Sequence, residues 1–344
     1  MAKLNIIGVD LAKNVIQAAV LTPTGKTLTN KELPRKKFAE FLAKQPISTV
    51  AFEACASAHY WARQAEKYGH KAMIIPAKAI IPYRQGHKTD RNDAVAVAEA
   101  ASRPTIKEAP IKTIDQQGLQ AIQRSRDLLM RDRTAHSNHI RGLLMEFGIY
   151  IPKGIFHLRS AIPEVLEDAD NELPDMYRPV LACMYRHFQR IEADIKSIDL
   201  EIKALLKEND ACSRIMELEG VGPIGAILLF ATLGTGEAFK SGREFSAYIG
   251  LTPKQHSSGG KTNFVGISKF IANHQLRAIL VQGARAYVHK LKDPTTPKQK
   301  WLHALILRAG YGRAAVALAN KTVRTAWALL TTGTEYDRCR GAVA

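Results

Sequence analysis

Residues 4–33 read LNIIGVDLAKNVIQAAVLTPTGKTLTNKEL, and this stretch decides the fold of the first part of the chain. It holds two apolar runs, residues 4–9 and 15–21, then the turn-forming residues 22–25 (TPTG), then a third strand-like run over residues 26–33. Short runs separated by proline and glycine turns are typical of strands. The stretch therefore predicts three antiparallel strands in a meander.

Helix and strand signals alternate after the meander. The sequence predicts helices at residues 35–44, 57–68 and 90–102, and strands at residues 48–52 and 71–75. The resulting order, β-β-β-α-β-α-β-α, favours a mixed sheet flanked by helices, with the first and fourth strands side by side. This α/β order is the ribonuclease-H-like arrangement, which many nucleases and the actin-like kinases share.

The whole chain has 344 residues and is strongly basic, with 49 Lys and Arg against 32 Asp and Glu, a formal charge of +17 and a pI of about 9.7. Its 46% hydrophobic and 24% charged residues are typical of a folded protein, which argues against intrinsic disorder. Its length favours two or three domains. The positive charge predicts a polyanionic partner, with nucleic acid ahead of an anionic membrane surface.

Several protein classes are not expected from this sequence. No apolar run reaches the roughly 18 residues of a membrane span, and residues 1–10 do not have the pattern of a signal peptide. The cysteines at positions 55, 183, 212 and 339 are isolated, which argues against a zinc ribbon or a disulfide framework. We therefore expect a reduced, soluble, cytoplasmic protein.

The character of the sequence changes along the chain, which predicts four segments. We expect an α/β domain over residues 1–105, a helical region over residues 106–210, a mostly helical domain over residues 211–332 and a frayed tail over residues 333–344.

In the helical region, residues 116–147 predict a long helix, and residues 150–179 predict irregular structure because they hold four prolines. A heptad seam follows at spacings of three and four residues, typical of a coiled coil. Its members are Phe188, Ile191, Ile195, Ile198, Ile202 and Leu205. The seam fits a helical hairpin inside one chain and a contact between two chains equally well.

The mostly helical C-terminal domain carries two nucleic-acid signals. Gly220-Val221-Gly222 is similar to the turn of a helix-hairpin-helix module, where glycines let backbone N–H groups approach a DNA phosphate. Residues 254–330 hold 13 Lys and Arg, Lys269 and Lys298 among them, and only Asp293 as an acid. Clustered cations without competing carboxylates predict a phosphate-binding surface. The candidate contacts in this domain are Gly220, Gly222, Lys254, Lys261 and Arg277.

Four acids of the α/β domain form the first candidate catalytic group. Asp10 ends the first strand, Glu53 ends the fourth, and Asp90 and Asp93 share one face at the start of a helix. Adjacent strands bring the first two together, and the helix can add the others. Because clustered carboxylates repel one another unless cations neutralise them, the set predicts Mg²⁺ binding, with two ions suited to phosphoryl transfer.

Ordinary structural roles remain open for the same residues. Asp90 and Asp93 could be an N-cap and a first-turn acid of the helix, and Asp10 could be a turn residue at a strand end. The nearby basic residues form either a phosphate-binding edge or a solvated loop, with even weight. They are Arg84, His87, Lys88 and Arg91.

The second candidate catalytic group is a predicted loop over residues 252–263, which places Ser257 and Ser258 beside Gly259 and Gly260. A serine hydroxyl can attack a phosphodiester and hold DNA as a covalent ester, which conserves the bond energy for rejoining. Taken alone, however, the loop fits a plain glycine-serine turn better.

Five motifs together carry a family resemblance. They are GVDLAKNVIQ at 8–17, FEACASAHYWA at 52–62, GHKTDRNDAVAVAEAASRP at 86–104, LEGVGPIGA at 218–226 and GLTPKQHSSGGK at 250–261. In this order, over most of the chain, they resemble the DEDD transposases of bacterial insertion sequences, the IS110 family and most closely its IS1111 subgroup. The resemblance implies a RuvC-like N-terminal domain, a coiled-coil middle and a C-terminal transposase domain.

The resemblance also implies roles for single residues. The DEDD motif carries over onto Asp10, Glu53, Asp90 and Asp93, and the transposase-domain serine onto Ser258, with a one-residue ambiguity because Ser257 is adjacent. It implies recombination of donor and target DNA through circular intermediates, guided by a structured bridge RNA. It further implies nucleoid-associated dimers that join into tetramers, in which the acids of one subunit face the serine of another.

Three rival functions fit parts of the sequence. A RuvC-like hydrolytic nuclease would use the same acids with water in place of serine. An actin-like sugar kinase would use residues 8–28 as a phosphate hairpin, but the sequence shows no second glycine-rich phosphate loop and no adenosine motif. A non-catalytic nucleic-acid scaffold would not need Asp10.

Overall fold

The computed structural model describes residues 4–267 and 273–337. Lys269, Cys339 and the tail residues 338–344 of the sequence predictions lie outside the described residues. The chain divides into two compact units, Met1–Thr113 and Ile114–Ala344. The predicted segment boundaries near residues 105 and 210 stay predictions.

The N-terminal unit is a five-stranded mixed sheet in the order β3-β2-β1-β4-β5 with helices on both faces. The predicted mixed sheet and its β-β-β-α-β-α-β-α order are confirmed. The strands are β1 (Ile6–Leu11), β2 (Val15–Leu21), β3 (Thr27–Pro34), β4 (Thr49–Glu53) and β5 (Lys71–Ile75). The helices are α1 (Phe38–Lys44), α2 (Ala58–Lys67), the single turn α3 (Ala77–Ile80) and α4 (Asp90–Ala101).

The sheet brings β1 and β4 side by side, as the sequence predicts. Strand β1 pairs antiparallel with β2 and parallel with β4, and in the second pair Val9 lies opposite Phe52. Strand β4 pairs parallel with β5. The residues that follow Val9 and Phe52, Asp10 and Glu53, therefore emerge at the same edge of the sheet.

The two faces of the sheet bury different helices. On one face, Ile7 and Val9 pack with Phe38 of α1 and Trp61 of α2. On the other, Ala19 and Leu21 pack with small residues of α4. Alternating residues of a strand point to opposite faces, so the apolar runs of β1 and β2 are consistent with burial on both sides.

Helix α4 approaches the sheet so closely that the facing residue of β1 has to be glycine. A Cβ added to Gly8 would lie 2.1 Å from the carbonyl oxygen of Ala94 and 2.5 Å from the backbone nitrogen of Ala98. Buried positions of α4 also carry small side chains, which allows the close approach. They are Ala94, Ala96, Ala98 and Ala100. The contact fixes the distance between β1 and α4.

The C-terminal unit is mostly helical, as predicted. Its helices are α5 (Ile114–Met145), α6 (Ile155–Glu167), α7 (Arg178–Lys207), α8 (Asp210–Met216), α9 (Pro223–Leu233), α10 (Gly242–Ile249), α11 (His274–Lys290), α12 (Pro297–Ala309) and α13 (Tyr311–Thr332). A two-stranded hairpin, β6 (Pro253–Ser258) and β7 (Lys261–Ile267), lies between α10 and α11. Across the described ranges, no helix is long and apolar enough to span a membrane.

The heptad seam of α7 packs inside this chain. Phe188 shares a core with Ile140 and Leu144 of α5, and Ile202 belongs to the core that α9 also enters. The seam ends one residue later than predicted, because Leu206 is buried and Leu205 is only partly buried. Of the two interpretations left open by the sequence, the helical hairpin within one chain accounts for the burial.

The prediction of irregular structure over residues 150–179 is wrong for residues 155–167, where α6 forms with Pro163 in its interior, and holds for residues 168–177. Proline lacks the N–H that would bond the carbonyl of Arg159, four residues earlier. The hydroxyl of Tyr185 donates to that carbonyl at 3.0 Å instead. Burial of Leu158 and Ile162 holds the helix in place.

The prediction of a loop over residues 252–263 is also wrong, because β6 and β7 pair through most of it. Gly259 and Gly260, the two turn residues, have φ of 55° and 77°. Two successive positive φ angles are what a tight hairpin turn of matching twist requires, and glycine adopts them without strain. The Gly-Gly pair is therefore a hairpin signal.

A buried ionic cluster holds the start of the tail, which the sequence predicts to be frayed. Lys298 is buried and forms an ion pair with Glu219, and the hydroxyl of Tyr336 donates to Glu219 at 2.7 Å. Burial raises the pKa of Glu219, but the bonds from Lys298 and Tyr336 outweigh burial and hold the pKa below its usual range. Lys298 is thus a structural cation, contrary to its prediction as part of a nucleic-acid surface.

Substituting Gly8→Ala tests the close contact between β1 and α4. We expect a loss of about 3 kcal/mol in the free energy of unfolding, because the added methyl group meets backbone atoms that cannot turn away. Urea and thermal unfolding would measure the loss. The matched control is Gly142→Ala in the last turn of α5, where a Cβ meets nothing within 4 Å. Helix propensity should stabilise this control by at most about 1 kcal/mol. Equal melting temperatures for the two variants would contradict the contact.

Candidate active site

Two of the four predicted acids lie at the ends of neighbouring strands. Asp10 and Glu53 are both half-buried and follow the paired residues Val9 and Phe52. Parallel strands end at the same edge of a sheet, so the register itself brings these carboxylates together. The structure confirms the strand adjacency on which this part of the site prediction rests.

The other two acids are carried by the first turn of α4. Thr89 is the N-cap of this helix, since its side chain accepts a hydrogen bond from the backbone nitrogen of Asn92 at 3.3 Å. The alternative role of Asp90 as the N-cap is therefore wrong. Asp90 is exposed and Asp93 half-buried, and both lie close enough to Asp10 for their charges to raise its pKa, after burial.

A chain of hydrogen bonds from side-chain amides connects the start of α4 to the sheet. Gln17 lies opposite Asp10 in β2 and donates to the side-chain oxygen of Asn30 in β3 at 2.6 Å. The amide of Asn30 donates in turn to the carbonyl oxygen of Arg91 at 3.0 Å. Since Arg91 lies between Asp90 and Asp93, three strands and α4 are linked at the position of the acids.

The electrostatics of Asp10 show that the other three acids lie close enough to act on its carboxyl. Burial, and after it the negative charges of Asp90, Asp93 and Glu53, raise the pKa of the Asp10 carboxyl from its ordinary value of 3.8 to about 6. Burial and the charges of Glu53 and Asp10 likewise raise the pKa of the Cys55 thiol to about 11, so this thiol stays protonated at neutral pH.

The donor set fits a hard divalent cation by its chemistry. Four carboxylates offer only oxygen ligands, and a bound cation would relieve the repulsion that adds to burial in raising the pKa of Asp10. In the described ranges, no three His, Cys, Asp or Glu side chains are assembled as a closed metal-binding cluster. The acids therefore converge electrostatically without forming a finished coordination shell.

The predicted basic edge divides into paired and exposed residues. Arg84 donates from Nη1 to Oδ1 of Asp93 at 3.3 Å and so supplies a positive charge beside the acids. His87, Lys88 and Arg91 are exposed, and the carbonyl oxygen of His87 accepts a hydrogen bond from Asn92. The proposed contacts of Arg84, Lys88 and Arg91 with phosphate stay predictions.

Arg35 joins the two chain segments that follow Asp10 and Glu53, and sequence reasoning missed it. It donates from Nη1 to the carbonyl oxygen of Ala12 at 2.9 Å and from Nη2 to the hydroxyl of Ser57 at 2.7 Å. Its guanidinium also lies over the ring of Trp61, 5.7 Å from the centroid. Ser57 is the only described residue other than glycine with a positive φ, and this bond holds it there.

Ser258 lies at the end of β6, next to the hairpin turn, and is exposed. It pairs directly with Lys261, so the serine hydroxyl and the lysine ammonium lie on one face of the hairpin. Lys254 and His256 belong to that face by the two-residue alternation of strand side chains. The face that carries Ser258 is therefore basic.

Ser257 lies on the opposite face, where its hydroxyl has polar neighbours. Its Oγ is 3.4 Å from the hydroxyl oxygen of Thr262 and accepts from the amide of Gln255 at 3.3 Å. Within the described part of the chain, the hydroxyl of Ser258 has no hydrogen-bond partner. The two serines thus lie on opposite faces of the hairpin, and they differ in whether the hydroxyl has a hydrogen-bond partner.

The remaining residues predicted to contact nucleic acid differ in their surroundings: some are packed or hydrogen-bonded within the fold, and others are exposed. A Cβ at Gly220 would lie 2.8 Å from the backbone of Gly283 in α11, so packing alone requires glycine at this position. Gly222 is exposed and caps the N-terminus of α9. Arg277 donates to the carbonyl oxygen of Gly250 at 3.3 Å, and Lys254 is exposed. A phosphate contact at any of these residues stays a prediction.

Two family models match most of the chain. Residues 7–149 match a DEDD transposase domain of the IS110 type, and residues 212–300 match the domain described as transposase of the IS116/IS110/IS902 family. The first range contains the four acids, and the second contains Ser258. The matches therefore cover both candidate catalytic groups.

Relatives match over nearly the full length. The chain is 39% identical to the transposase for insertion sequence element IS1111A of Coxiella burnetii, over 98% of this chain and 93% of the relative. It is 37% identical to a probable family 20 transposase of Pseudomonas aeruginosa, over 97% and 98%. It is 35% identical to the transposase for IS1328 of Yersinia enterocolitica, over 98% and 100%. The chain belongs to the IS110 family of DEDD transposases and is a DNA transposase of that family.

Proposed function

We propose that this transposase is a site-specific DNA recombinase that cleaves and rejoins strands through a covalent serine–DNA ester. The observation that carries the proposal is the gathering of Asp10, Glu53, Asp90 and Asp93 at one edge of the sheet, where burial and the charges of the other three acids raise the pKa of Asp10. Such an arrangement costs stability and is typical of a site that takes up a charged ligand. A basic hairpin with an exposed serine supplies the second half of the chemistry.

A DEDD transposase domain indicates dependence on a divalent metal ion. We propose Mg²⁺ held by Asp10, Glu53, Asp90 and Asp93, with two ions as the expected number. Bound there, the metal would polarise the scissile phosphate and stabilise the leaving oxygen. Arg35 and the Gln17–Asn30–Arg91 chain hold the backbone segments that carry these acids.

Ser258 is the proposed nucleophile. Its Oγ attacks the scissile phosphorus, so an Oγ–phosphorus bond forms while the bond between phosphorus and the deoxyribose oxygen breaks. The serine proton leaves to a base or water, and the released deoxyribose oxygen takes up a proton. Rejoining reverses the step, with a hydroxyl of the exchanged strand displacing the serine. Lys261, paired with Ser258, lies where it would attract the phosphate.

Further partners belong to the proposal through the family resemblance. We propose donor and target DNA as substrates, a structured bridge RNA as guide, and dimers that join into tetramers. Support from this chain is its charge of +17 and the exposed basic residues Lys88, Arg91, Lys254 and Lys261. These cations suit phosphate backbones of either nucleic acid.

Substituting Ser258→Ala tests the nucleophile. The protein, a bridge RNA and donor and target DNA are incubated together, and covalent protein–DNA species are resolved on a denaturing gel. We expect Ser258→Ala to lose the adduct and at least about 10³-fold in recombination, as loss of a nucleophile does in other covalent enzymes.

Ser257→Ala is the matched control, since it removes the same hydroxyl one residue away on the other face. It should keep the adduct. An adduct that survives in Ser258→Ala would rule out this nucleophile. Cleaved DNA without any covalent species in the unsubstituted protein would favour the hydrolytic nuclease.

Substituting Asp10→Asn tests the metal site without an activity assay. An acid whose pKa is raised in the folded state lowers stability once pH exceeds its ordinary value, and the penalty is complete above the raised value. For Asp10 that window runs from 3.8 to about 6. In EDTA at pH 8, Asp10→Asn should therefore gain about 1 kcal/mol, a figure reduced for partial solvent exposure.

The same variant shows whether a metal relieves this penalty. The gain of Asp10→Asn should shrink as pH falls from 6 to 4. Mg²⁺ or Mn²⁺ should raise the melting temperature of the unsubstituted protein and have little effect on Asp10→Asn. An equal rise in both would contradict metal binding by this acid.

A further inference from the structure

A cavity of about 710 Å³ lies in the C-terminal unit beneath the base of the β6–β7 hairpin. Its walls are the start of β6, the end of β7, and helices α12 and α13. The volume lies within the range of sites that hold small organic groups. Neither the proposed serine chemistry nor the acid site uses this cavity.

One face of α13 forms the floor. Arg313, Val316, Asn320, Lys321 and Arg324 all line the cavity at the three- and four-residue spacings of a single helical face. The floor is held in place because the amide of Asn320 donates to the hydroxyl of Ser246 at 2.7 Å and to the carbonyl of Leu251 at 3.2 Å. The cavity is therefore bounded by packed elements.

The lining combines aromatic rings with positive charge. Trp301 and Phe264 supply the rings, and both are solvent-accessible, at 37% and 70% exposure. The cations are Arg313, Lys321 and Arg324, and none of the described lining residues is acidic. The ammonium of Lys321 lies 4.4 Å from the centroid of the Trp301 ring.

The cations lack local neutralisation, which points to an anionic occupant. Burial lowers the pKa of Lys321, and the positive charges of Lys298 and Arg324 lower it further, while Glu219 opposes the change. Lys298 is itself already engaged by Glu219. An anionic group placed between Lys321 and Arg324 would relieve the repulsion between them.

We propose that this cavity binds an unpaired nucleobase of the DNA strand that reaches Ser258, with the base stacked on Trp301 and its phosphate on Lys321 and Arg324. Aromatic rings beside cations are the combination that recognises single-stranded nucleic acid, because every base has a face to stack and every nucleotide a charge. A purely apolar ligand would leave the positive charges of Arg313, Lys321 and Arg324 without a negative counter-charge. The inference rests on the proposed serine chemistry, which makes DNA the strand along the hairpin.

The geometry sets where the bound base lies. Ser258 is five residues from Pro253, which borders the cavity, so the two ends of β6 are about 17 Å apart. At the rise of stacked DNA this distance spans about five nucleotides. Phe264 lies on the face of Ser257, so a strand that joins the cavity to Ser258 crosses an edge of the hairpin. The bound base lies a few nucleotides from the scissile phosphate along that path and would hold the strand as it is cut.

Binding of single-stranded DNA by the full-length protein tests the proposal. A fluorescent 20-nucleotide oligothymidine, an RNA of the same length (oligouridine) and a DNA duplex are titrated separately, with anisotropy as the readout. We expect Trp301→Ala and Lys321→Ala each to weaken single-stranded DNA binding about tenfold, the effect of losing one stacked base. Duplex binding should change less than about twofold.

Two variants outside the cavity serve as matched controls. Leu307→Ala removes an exposed apolar side chain from the same helix as Trp301, and Lys203→Ala removes an exposed charge from α7, outside the predicted phosphate-binding segment. Both should leave binding of the single strand within about twofold. Trp301→Phe, which keeps a ring, should retain most of the affinity and guards against a folding defect in Trp301→Ala.

A second readout locates the base. An oligonucleotide with a single 2-aminopurine should lose fluorescence on binding the unsubstituted protein, and this quenching should be absent in Trp301→Ala and in Ala317→Phe, which fills the cavity. Unchanged DNA binding in Trp301→Ala and Lys321→Ala would overturn the proposal. A loss confined to the RNA or shared equally by the duplex would overturn it as well. The measurement needs no cleavage, so its failure would leave the Ser258 adduct experiment unaffected.

Discussion

The close approach of α4 to β1 at Gly8 is the constraint on which the candidate active site depends. Gly8 lies two residues before Asp10, and the carbonyl that a Cβ would strike belongs to Ala94, the residue after Asp93. The contact therefore sets how near the acids of the helix come to the acid of the strand. A larger side chain at position 8 would lift the start of α4 away from the sheet, and the carboxylates would separate with it.

Bringing the carboxylates together lowers the stability of the fold. Neighbouring residues reduce this cost. Asp10 is held partly away from water beside other acids, which raises its pKa to about 6. Arg84 offsets part of the negative charge at Asp93, and Arg35 fixes the backbone after Asp10 and Glu53 through neutral acceptors, leaving the acids themselves open. Asp93 has one of its oxygens engaged, by Arg84, while Arg35 positions the segments after Asp10 and Glu53 without contacting their carboxylates.

The sequence predicted the strand order and the acids because both depend on local patterns. The adjacency of β1 and β4 follows from the apolar runs and the connection rules, and the convergence of Asp10 and Glu53 follows from it. The long-range bonds could not be predicted in this way. Nothing local indicates that Asn30 reaches Arg91, or that Tyr185 bonds the carbonyl that Pro163 leaves without a donor. Such contacts depend on tertiary packing between distant residues.

Some cations of this chain stabilise the fold, and others are exposed and open to a ligand. The net charge alone does not distinguish the two groups. Lys298 is buried against Glu219 and Tyr336, and Arg277 bonds the backbone at the base of the hairpin, so both contribute to the fold. Lys254 and Lys261 are exposed on the hairpin face of Ser258, where the cost of burying charge does not arise. Because a cation with a carboxylate partner offers little to phosphate, the proposed nucleic-acid surface is smaller than the net charge indicates. Its proposed centre is the hairpin face where the exposed Lys254 and Lys261 flank Ser258.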